Sequence, residues 1–243
     1  MSNRPIELSI IMPAFNEAEE IQASIRTVDK KMAAMKAVYE IIVVNDGSRD
    51  ETLTKAQACA CGHIQILSYG QNRGKGFAVR HGMLHSKGKY KLFMDVDLST
   101  SLDAIDQFLM SMHEDKYDVL IGNRKNGPGS TGTGQPWHRR FLGTGYIKLS
   151  CLCAGTNIKD FTCGFKMFNA KAADIIFTRQ RTFDWSFDTE LIYIAILHRL
   201  RIGEMGVVWK HHHGSTVRPL RDILISLAGL LKIRWHIFKK DYR

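Results

Sequence analysis

Long apolar runs are missing from this 243-residue sequence, and no stretch reaches the roughly 20 residues that a membrane-spanning helix needs. Met1-Ser2-Asn3-Arg4-Pro5 leads straight into a strand-like segment, with no apolar core of a secretory signal. Cysteine is scarce and odd in number: Cys59, Cys61, Cys151, Cys153 and Cys163. The two C-x-C pairs lack the C-x₂-C spacing of common zinc sites, so the five read as reduced thiols acting as small buried hydrophobes in a cytosolic chain. There is no domain-sized linker and no internal repeat. No glycine-rich phosphate loop follows the first strand, where Pro13-Ala14-Phe15-Asn16-Glu17 stands instead, which argues against a sugar nucleotidyltransferase.

Acidic residues are outnumbered, 24 Asp and Glu against 34 Lys and Arg, giving a net charge of +10. Such a balance fits an anionic partner: nucleic acid, an anionic membrane surface or a phosphorylated substrate. Hydrophobic residues at 44% and charged residues at 24% are in the globular range, which excludes disorder.

The first half alternates apolar runs with helical patterns. Strands are expected over Leu8–Met12, Tyr39–Asn45, Ile64–Tyr69, Tyr90–Met94 and Asp118–Ile121. Helices are expected over Glu17–Ala37, Glu51–Cys61, Lys75–His85 and Leu102–His113. This rhythm predicts an α/β fold with a mostly parallel sheet flanked by helices, in which ligands bind beyond the carboxyl ends of the strands. The polar clusters Pro13–Glu17, Asp46–Ser48 and Asp95–Ser99 fall at those ends.

The composition changes over Asn126–Gln135, a Gly-rich lid or loop, and the rhythm weakens beyond it. Helices are expected over Trp137–Ala154 and Ser186–His198, and a strand over Glu204–Trp209. Residues 219–238 form an amphipathic helix. Leu220, Leu224, Leu227, Leu231, Trp235 and Phe238 lie on one stripe, opposite Ser226, Gly229, Lys232 and His236. The helix either lies in a membrane interface or covers the core. His211-His212-His213 puts at most two imidazoles on one face of a strand and brings no third ligand, so it reads as polar strand-end residues.

Asp95-Val96-Asp97 after the apolar Leu92-Phe93-Met94 is the candidate centre. Two carboxylates at i and i+2 can hold a hard cation and leave coordination sites for phosphate oxygens. It is part of one of five ordered motifs. They are Met12-Pro13-Ala14-Phe15-Asn16-Glu17, Val44-Asn45-Asp46-Gly47-Ser48, Asn72-Arg73-Gly74-Lys75-Gly76, Asp95-Val96-Asp97-Leu98-Ser99-Thr100 and Asp160-Phe161-Thr162-Cys163-Gly164-Phe165-Lys166. Phe187-Asp188-Thr189-Glu190 and Gly214-Ser215-Thr216-Val217-Arg218 follow.

Over nearly its whole length the sequence resembles the inverting family 2 glycosyltransferases of GT-A (Rossmann-like) fold. Within them it is most similar to the polyprenyl-phosphate hexosyltransferases that move glucose or mannose to dolichyl phosphate. The resemblance implies a donor site of Pro13, Ala14, Asn16, Glu17, Asp46, Ser48, Lys75, Asp95, Val96 and Asp97 for a nucleotide-sugar, UDP-glucose or GDP-mannose, with Asp46 on the base. Lys75 either reaches the donor phosphates or packs the start of its helix. Mg²⁺ or Mn²⁺ is implied on Asp95 and Asp97, with Ser99 or water where some relatives carry a glutamine. Arg124, Arg139, Arg140, Ser215 and Arg218 are implied for the phosphate of a polyprenyl or dolichyl acceptor. Asp97, Asp188 and Glu190 complete the catalytic set, the last two as a base or as residues that orient Arg and Lys.

The implied division is a catalytic domain over 1–218, with a donor half 1–125 and an acceptor half 126–218, followed by the helix at 219–243. Attachment would be peripheral, on the cytoplasmic face of a membrane, through that helix or a separate membrane-protein partner. A sugar-hydroxyl acceptor is the alternative. A nucleic-acid partner is not expected, since it would not explain three acidic strand ends around one cleft.

Overall fold

The computed structural model describes residues 5–35, 37–124, 149–151, 155–184, 186–210 and 219–243, with the backbone alone for 219–227. Seven strands form one sheet: β1 Leu8–Ala14, β2 Tyr39–Asn45, β3 Ile64–Ser68, β4 Tyr90–Met94, β5 Val119–Asn123, β6 Phe165–Asn169 and β7 Ile202–Gly206. Their order is β3-β2-β1-β4-β6-β5-β7. β1 pairs in parallel with β2 and β4, and β2 with β3. β6 runs antiparallel to both β4 and β5, while β5 and β7 are parallel.

Strand β2 shows why the sheet needs cover on both faces. Ile41, Ile42, Val43 and Val44 are all fully buried. Alternation sends Ile41 and Val43 into one core and Ile42 and Val44 into the other. The first core takes α1 (Ile21–Ala34), which buries Ile21, Ile25, Val28 and Met32 at helical spacing. Each such side chain contributes about 1.5–3 kcal/mol. The short α2 (Thr52–Gln57) and α4 (Ala104–His113) lie on the same side through Ala56, Ile105, Phe108 and Met112. The second core takes α3 (Lys75–His85), α5 (Ala170–Arg179) and α6 (Phe187–Leu197).

The C-terminal helix α7 (Pro219–Lys239) buries Leu230 and Ile233. Leu231, Trp235 and Phe238 are 73%, 56% and 80% exposed, so this apolar stripe faces outward. The chain then turns back and buries Tyr242 in the second core, where its ring lies 5.6 Å from that of Tyr193. Tyr242 therefore belongs to the domain core. No helix among the described residues is long and apolar enough to cross a membrane.

The structure departs from the sequence reading mainly in the second half. β6 and α5 were not anticipated, and β7 covers Ile202–Gly206 rather than Glu204–Trp209. Residues Glu17–Glu20 form a turn before α1 rather than its first turn, and α2 stops at Gln57. The Gly-rich segment, most of the Trp137–Ala154 helix and His211-His212-His213 lie outside the described residues.

Candidate active site

The carboxyl ends of β2, β1 and β4 stand side by side, which brings the three polar clusters together. The first two brace each other. Asn16 has a left-handed backbone (φ 56°) and its amide donates to Ser48 Oγ at 3.0 Å, while Asn16 Oδ1 accepts from the Arg49 amide at 2.9 Å. The Glu17 amide donates to Thr52 Oγ1 at 2.7 Å. Gly47 must be glycine, because its φ is +66° and a β-carbon would lie 2.5 Å from the Asn72 amide nitrogen. Pro13 and Ala14 end β1, where Ala14 O accepts from the Asp46 amide at 2.8 Å.

Asp46 is engaged by the loop that follows β3. Its carboxylate is buried and accepts from the Arg73 amide (2.7 Å), the Gly74 amide (3.0 Å) and Asn72 Nδ2 (3.0 Å). It anchors the loop that carries Lys75.

The chain after β4 turns so that Val96 enters the first core while Asp95 and Asp97 flank it. Leu98 sits at φ 49°, a costly conformation for a bulky residue. Asp95 Oδ1 lies 2.5 Å from Lys75 Nζ. A β-carbon on Gly164 would overlap the Asp95 carboxylate, so this glycine makes the cradle in which the carboxylate sits. Asp97 accepts from the Ser99 amide at 2.9 Å and from Ser99 Oγ at 2.8 Å. Ser99 thus points its proton at Asp97 and orients it.

Charge is concentrated here. Burial lifts the Glu17 carboxyl to about 7, with further contributions from Glu20, Asp97, Asp95 and Asp50. Burial disfavours the Lys75 ammonium, but Asp95, Asp188 and Asp97 outweigh it and raise its pKa. Asp188, at the start of α6, pairs with the fully buried Lys166 of β6 at 2.5 Å. Glu190 is fully buried and faces elsewhere: it accepts from the amides of Arg181 (3.1 Å) and Thr182 (2.8 Å) and from Tyr242 Oη (2.6 Å). It ties the C-terminus to the loop that meets α3.

Arg124 follows β5. Its Nε and Nη2 grip Asp160 at 2.8 and 2.6 Å, Nη2 also donates to Thr162 Oγ1 at 2.8 Å, and its guanidinium carbon is 5.8 Å from the Trp209 ring centroid. The two N–H groups on Nη1 are not part of that grip. Asp160 is placed in turn by Glu204, which accepts from its amide at 3.2 Å. Sequence reasoning missed Lys166 and Asp160 as site-forming residues, although both lie in the quoted motif. Arg139, Arg140, Ser215 and Arg218 lie outside the described residues.

No group of three or more His, Cys, Asp and Glu among the described residues is arranged to hold a metal alone. The donor set of Asp95 and Asp97, two hard carboxylates in a glycine cradle, fits a divalent ion that arrives with further oxygen ligands of its own.

Residues 9–177 match the family model described as Glycosyl transferase family 2. Dolichyl-phosphate beta-glucosyltransferase of Drosophila melanogaster is 32% identical, over 96% of this chain and 78% of that protein. The enzyme of the same description from Saccharomyces cerevisiae is also 32% identical, over 98% of this chain and 77% of its own length. Among solved structures, glucosyl-3-phosphoglycerate synthase from Mycobacterium tuberculosis, in complex with Mn²⁺, UDP-glucose and phosphoglyceric acid, superposes with a TM-score of 0.65 at 18% identity. That match covers 94% of this chain and 79% of the other, a likeness of fold.

Proposed function

The chain belongs to glycosyl transferase family 2 and is a glycosyltransferase, and from that premise we propose that it transfers a hexose from a nucleotide-sugar to a polyprenyl or dolichyl phosphate. Glucose from UDP-glucose is the favoured donor, because both relatives at 32% identity are named for glucosyl transfer to dolichyl phosphate. One observation carries the reading: the carboxylates Asp95 and Asp97 and the Arg124 guanidinium, held on Asp160, follow β4 and β5, whose carboxyl ends point the same way with β6 between them. Arg124 also contributes to the electrostatics of that edge, where Asp95 acts on it.

Asp95 and Asp97 would hold Mg²⁺ or Mn²⁺, which supplies neutralising charge to a nucleoside diphosphate leaving group. Pro13, Ala14, Asn16, Glu17 and Ser48 line the nucleotide side. Lys75 serves the diphosphate as a mobile ammonium. Asp46 and Val96 support the site from behind. Arg124, with Arg139, Arg140, Ser215 and Arg218, binds the acceptor phosphate. A phosphate monoester, with a second pKa of about 6, is already an anion and needs no strong base. One of its oxygens bonds to the anomeric carbon as the bond from that carbon to the diphosphate breaks, inverting the centre. Asp188 then has the orienting role, consistent with its ion pair to Lys166. Positioning and preorganised charge supply the rate.

The residues 1–125 serve as donor half and 126–218 as acceptor half, and within 219–243 the helix Pro219–Lys239 lies on the cytoplasmic face of a membrane. The outward stripe Leu231, Trp235 and Phe238, beside Lys239, supports a peripheral contact with a lipid surface. The test is to incubate the purified protein with polyprenyl phosphate, Mg²⁺ and, separately, UDP-glucose, GDP-mannose and UDP-N-acetylglucosamine. Lipid-linked glucose is expected, and Asp97→Ala is expected to abolish it. No lipid-linked sugar from any donor overturns the reading.

A further inference from the structure

Lys75 occupies one oxygen of the Asp95 carboxylate, on which the proposed donor site places a metal. Its Nζ lies 2.5 Å from Asp95 Oδ1, on the carboxylate that the Gly164 cradle fixes in place. The backbone on either side of Lys75 is pinned. The Gly74 amide donates to Asp46 at 3.0 Å, the Gly76 amide to Phe183 O at 3.1 Å, and Gly76 O accepts from Gln180 Nε2 at 3.1 Å. Asp95 is held through its own amide on Gly164 O at 3.2 Å, and Asp97 through Ser99. The part free to move is the lysine stem, whose side chain is 31% exposed.

The charges around it make the exchange selective. Asp95, Asp97 and Asp188 act on Lys75, and Lys166 pairs with Asp188. A divalent ion arriving alone finds its first ligand taken and an ammonium beside it. A diphosphate arriving alone meets the carboxylates. A metal–diphosphate pair brings ligands for the ion and an anionic oxygen for the lysine together.

We propose that Lys75 is an internal counter-ion that keeps the Asp95–Asp97 site closed to a bare divalent cation and admits a metal–diphosphate pair by moving its ammonium from Asp95 onto the diphosphate. The proposal rests on the donor-site reading above and adds an order to it: the ion and the nucleotide enter as one ligand. Lys75 is therefore a binding-order residue as well as a phosphate contact.

The experiment measures free Mn²⁺ by electron paramagnetic resonance in titrations of the full chain, with and without UDP. The wild type is expected to bind Mn²⁺ weakly alone and much more tightly with UDP. Lys75→Gln is expected to bind Mn²⁺ alone at least about tenfold more tightly, yet to bind UDP in the presence of Mn²⁺ at least about tenfold more weakly. Lys75→Arg keeps the charge and is expected to restore the exclusion of bare Mn²⁺. The opposite signs separate this role from damage to the fold, which weakens both. A wild type that takes Mn²⁺ with UDP, beside a Lys75→Gln variant that binds Mn²⁺ alone no more tightly, overturns the proposal and leaves the donor site standing. A wild type that binds no Mn²⁺ even with UDP overturns the donor-site reading itself.

Discussion

Lys166 Nζ lies 2.5 Å from Asp188 Oδ1, with no part of the lysine side chain exposed. The pair joins β6 to α6 and is completed by Cys163 O, which accepts from the same ammonium at 2.7 Å. Burial pushes the Asp188 carboxyl upward, and Lys166 and Lys75 oppose it. Lys166→Met removes one partner and leaves the other buried. The expected cost is about 3–5 kcal/mol in urea unfolding. The double variant Lys166→Met, Asp188→Leu is expected to recover most of it, because no lone charge remains. A single variant that unfolds at the wild-type urea concentration contradicts this account.

Asp160 is 1% exposed and meets two nitrogens of Arg124. Burial raises its pKa, but the Arg124 hydrogen bonds and charge outweigh burial and hold it below the usual carboxylate value. The sign follows directly: its contribution to stability is present above the unfolded value of about 3.9 and is lost as pH falls through the lower folded value. Asp160→Asn is expected to remove that acid dependence, to cost about 3–5 kcal/mol at neutral pH and to weaken acceptor use by freeing Arg124. Unfolding curves from pH 2 to 7 for both proteins check the sign.

The central strands β2 and β4 were legible because each is a mainly apolar run bounded by polar residues or a turn. Tyr39–Asn45 and Tyr90–Met94 match the expected bounds residue for residue. β6 was not legible because it lies outside the β-α alternation, and its buried Lys166 is explained only by Asp188, 22 residues away. Its antiparallel insertion between β4 and β5 also breaks the β-α rhythm that identified the rest. In the candidate site, Asp95, Asp97, Glu17 and Lys75 were legible from motif order and do converge. The partners that Asp46, Ser99 and Glu190 bond were not. A carboxylate or hydroxyl in a motif looks the same whether its partner is a ligand or a neighbouring amide.

Gly164→Ala tests the cradle. The new methyl would overlap the Asp95 carboxylate, which must then move away from its place beside Lys75. The expected cost in stability is about 1–3 kcal/mol, a strain of overpacking. Mn²⁺-dependent UDP binding, measured by calorimetry, is expected to fall by at least about tenfold, since the carboxylate proposed as a ligand has been displaced. Unchanged binding would show that Asp95 does not need this position.

Glu17 supplies a dependence of the opposite sense to Asp160. Its carboxyl is lifted to about 7, first by burial and then by Glu20, Asp97, Asp95 and Asp50. A raised carboxyl favours the protonated form in the folded state. The stability it adds is therefore full below the ordinary carboxylate range and is lost as pH rises through about 7. Glu17→Gln stays neutral throughout. The two proteins are expected to match near pH 4 and to separate by about 1 kcal/mol by pH 8, the variant being the more stable, with solvent screening keeping the gap small. A gap that shrinks as pH rises would reverse the assignment.

The outward face of α7 gives a last expectation. Leu231, Trp235 and Phe238 follow at i, i+4 and i+7 and stand largely exposed, while Leu230 and Ile233 of the same helix are buried. Lys239 Nζ lies 4.7 Å from the Trp235 ring centroid and places a positive charge at the edge of the apolar stripe. Aromatic rings flanked by lysine suit the boundary between headgroups and acyl chains of an anionic lipid surface. Trp235→Ser with Phe238→Ser removes most of that area without touching the buried side of the helix. Binding to vesicles of mixed neutral and anionic phospholipid, measured by co-sedimentation, is expected to fall by at least about tenfold, since each ring buries on the order of 150–250 Å² on insertion. Unfolding stability is expected to change by less than about 0.5 kcal/mol, because the substituted side chains lie on the surface. Raising salt is expected to weaken the wild type further by screening Lys239 and its basic neighbours. Vesicle binding that survives both the substitutions and high salt would assign the lipid contact to another face of the protein.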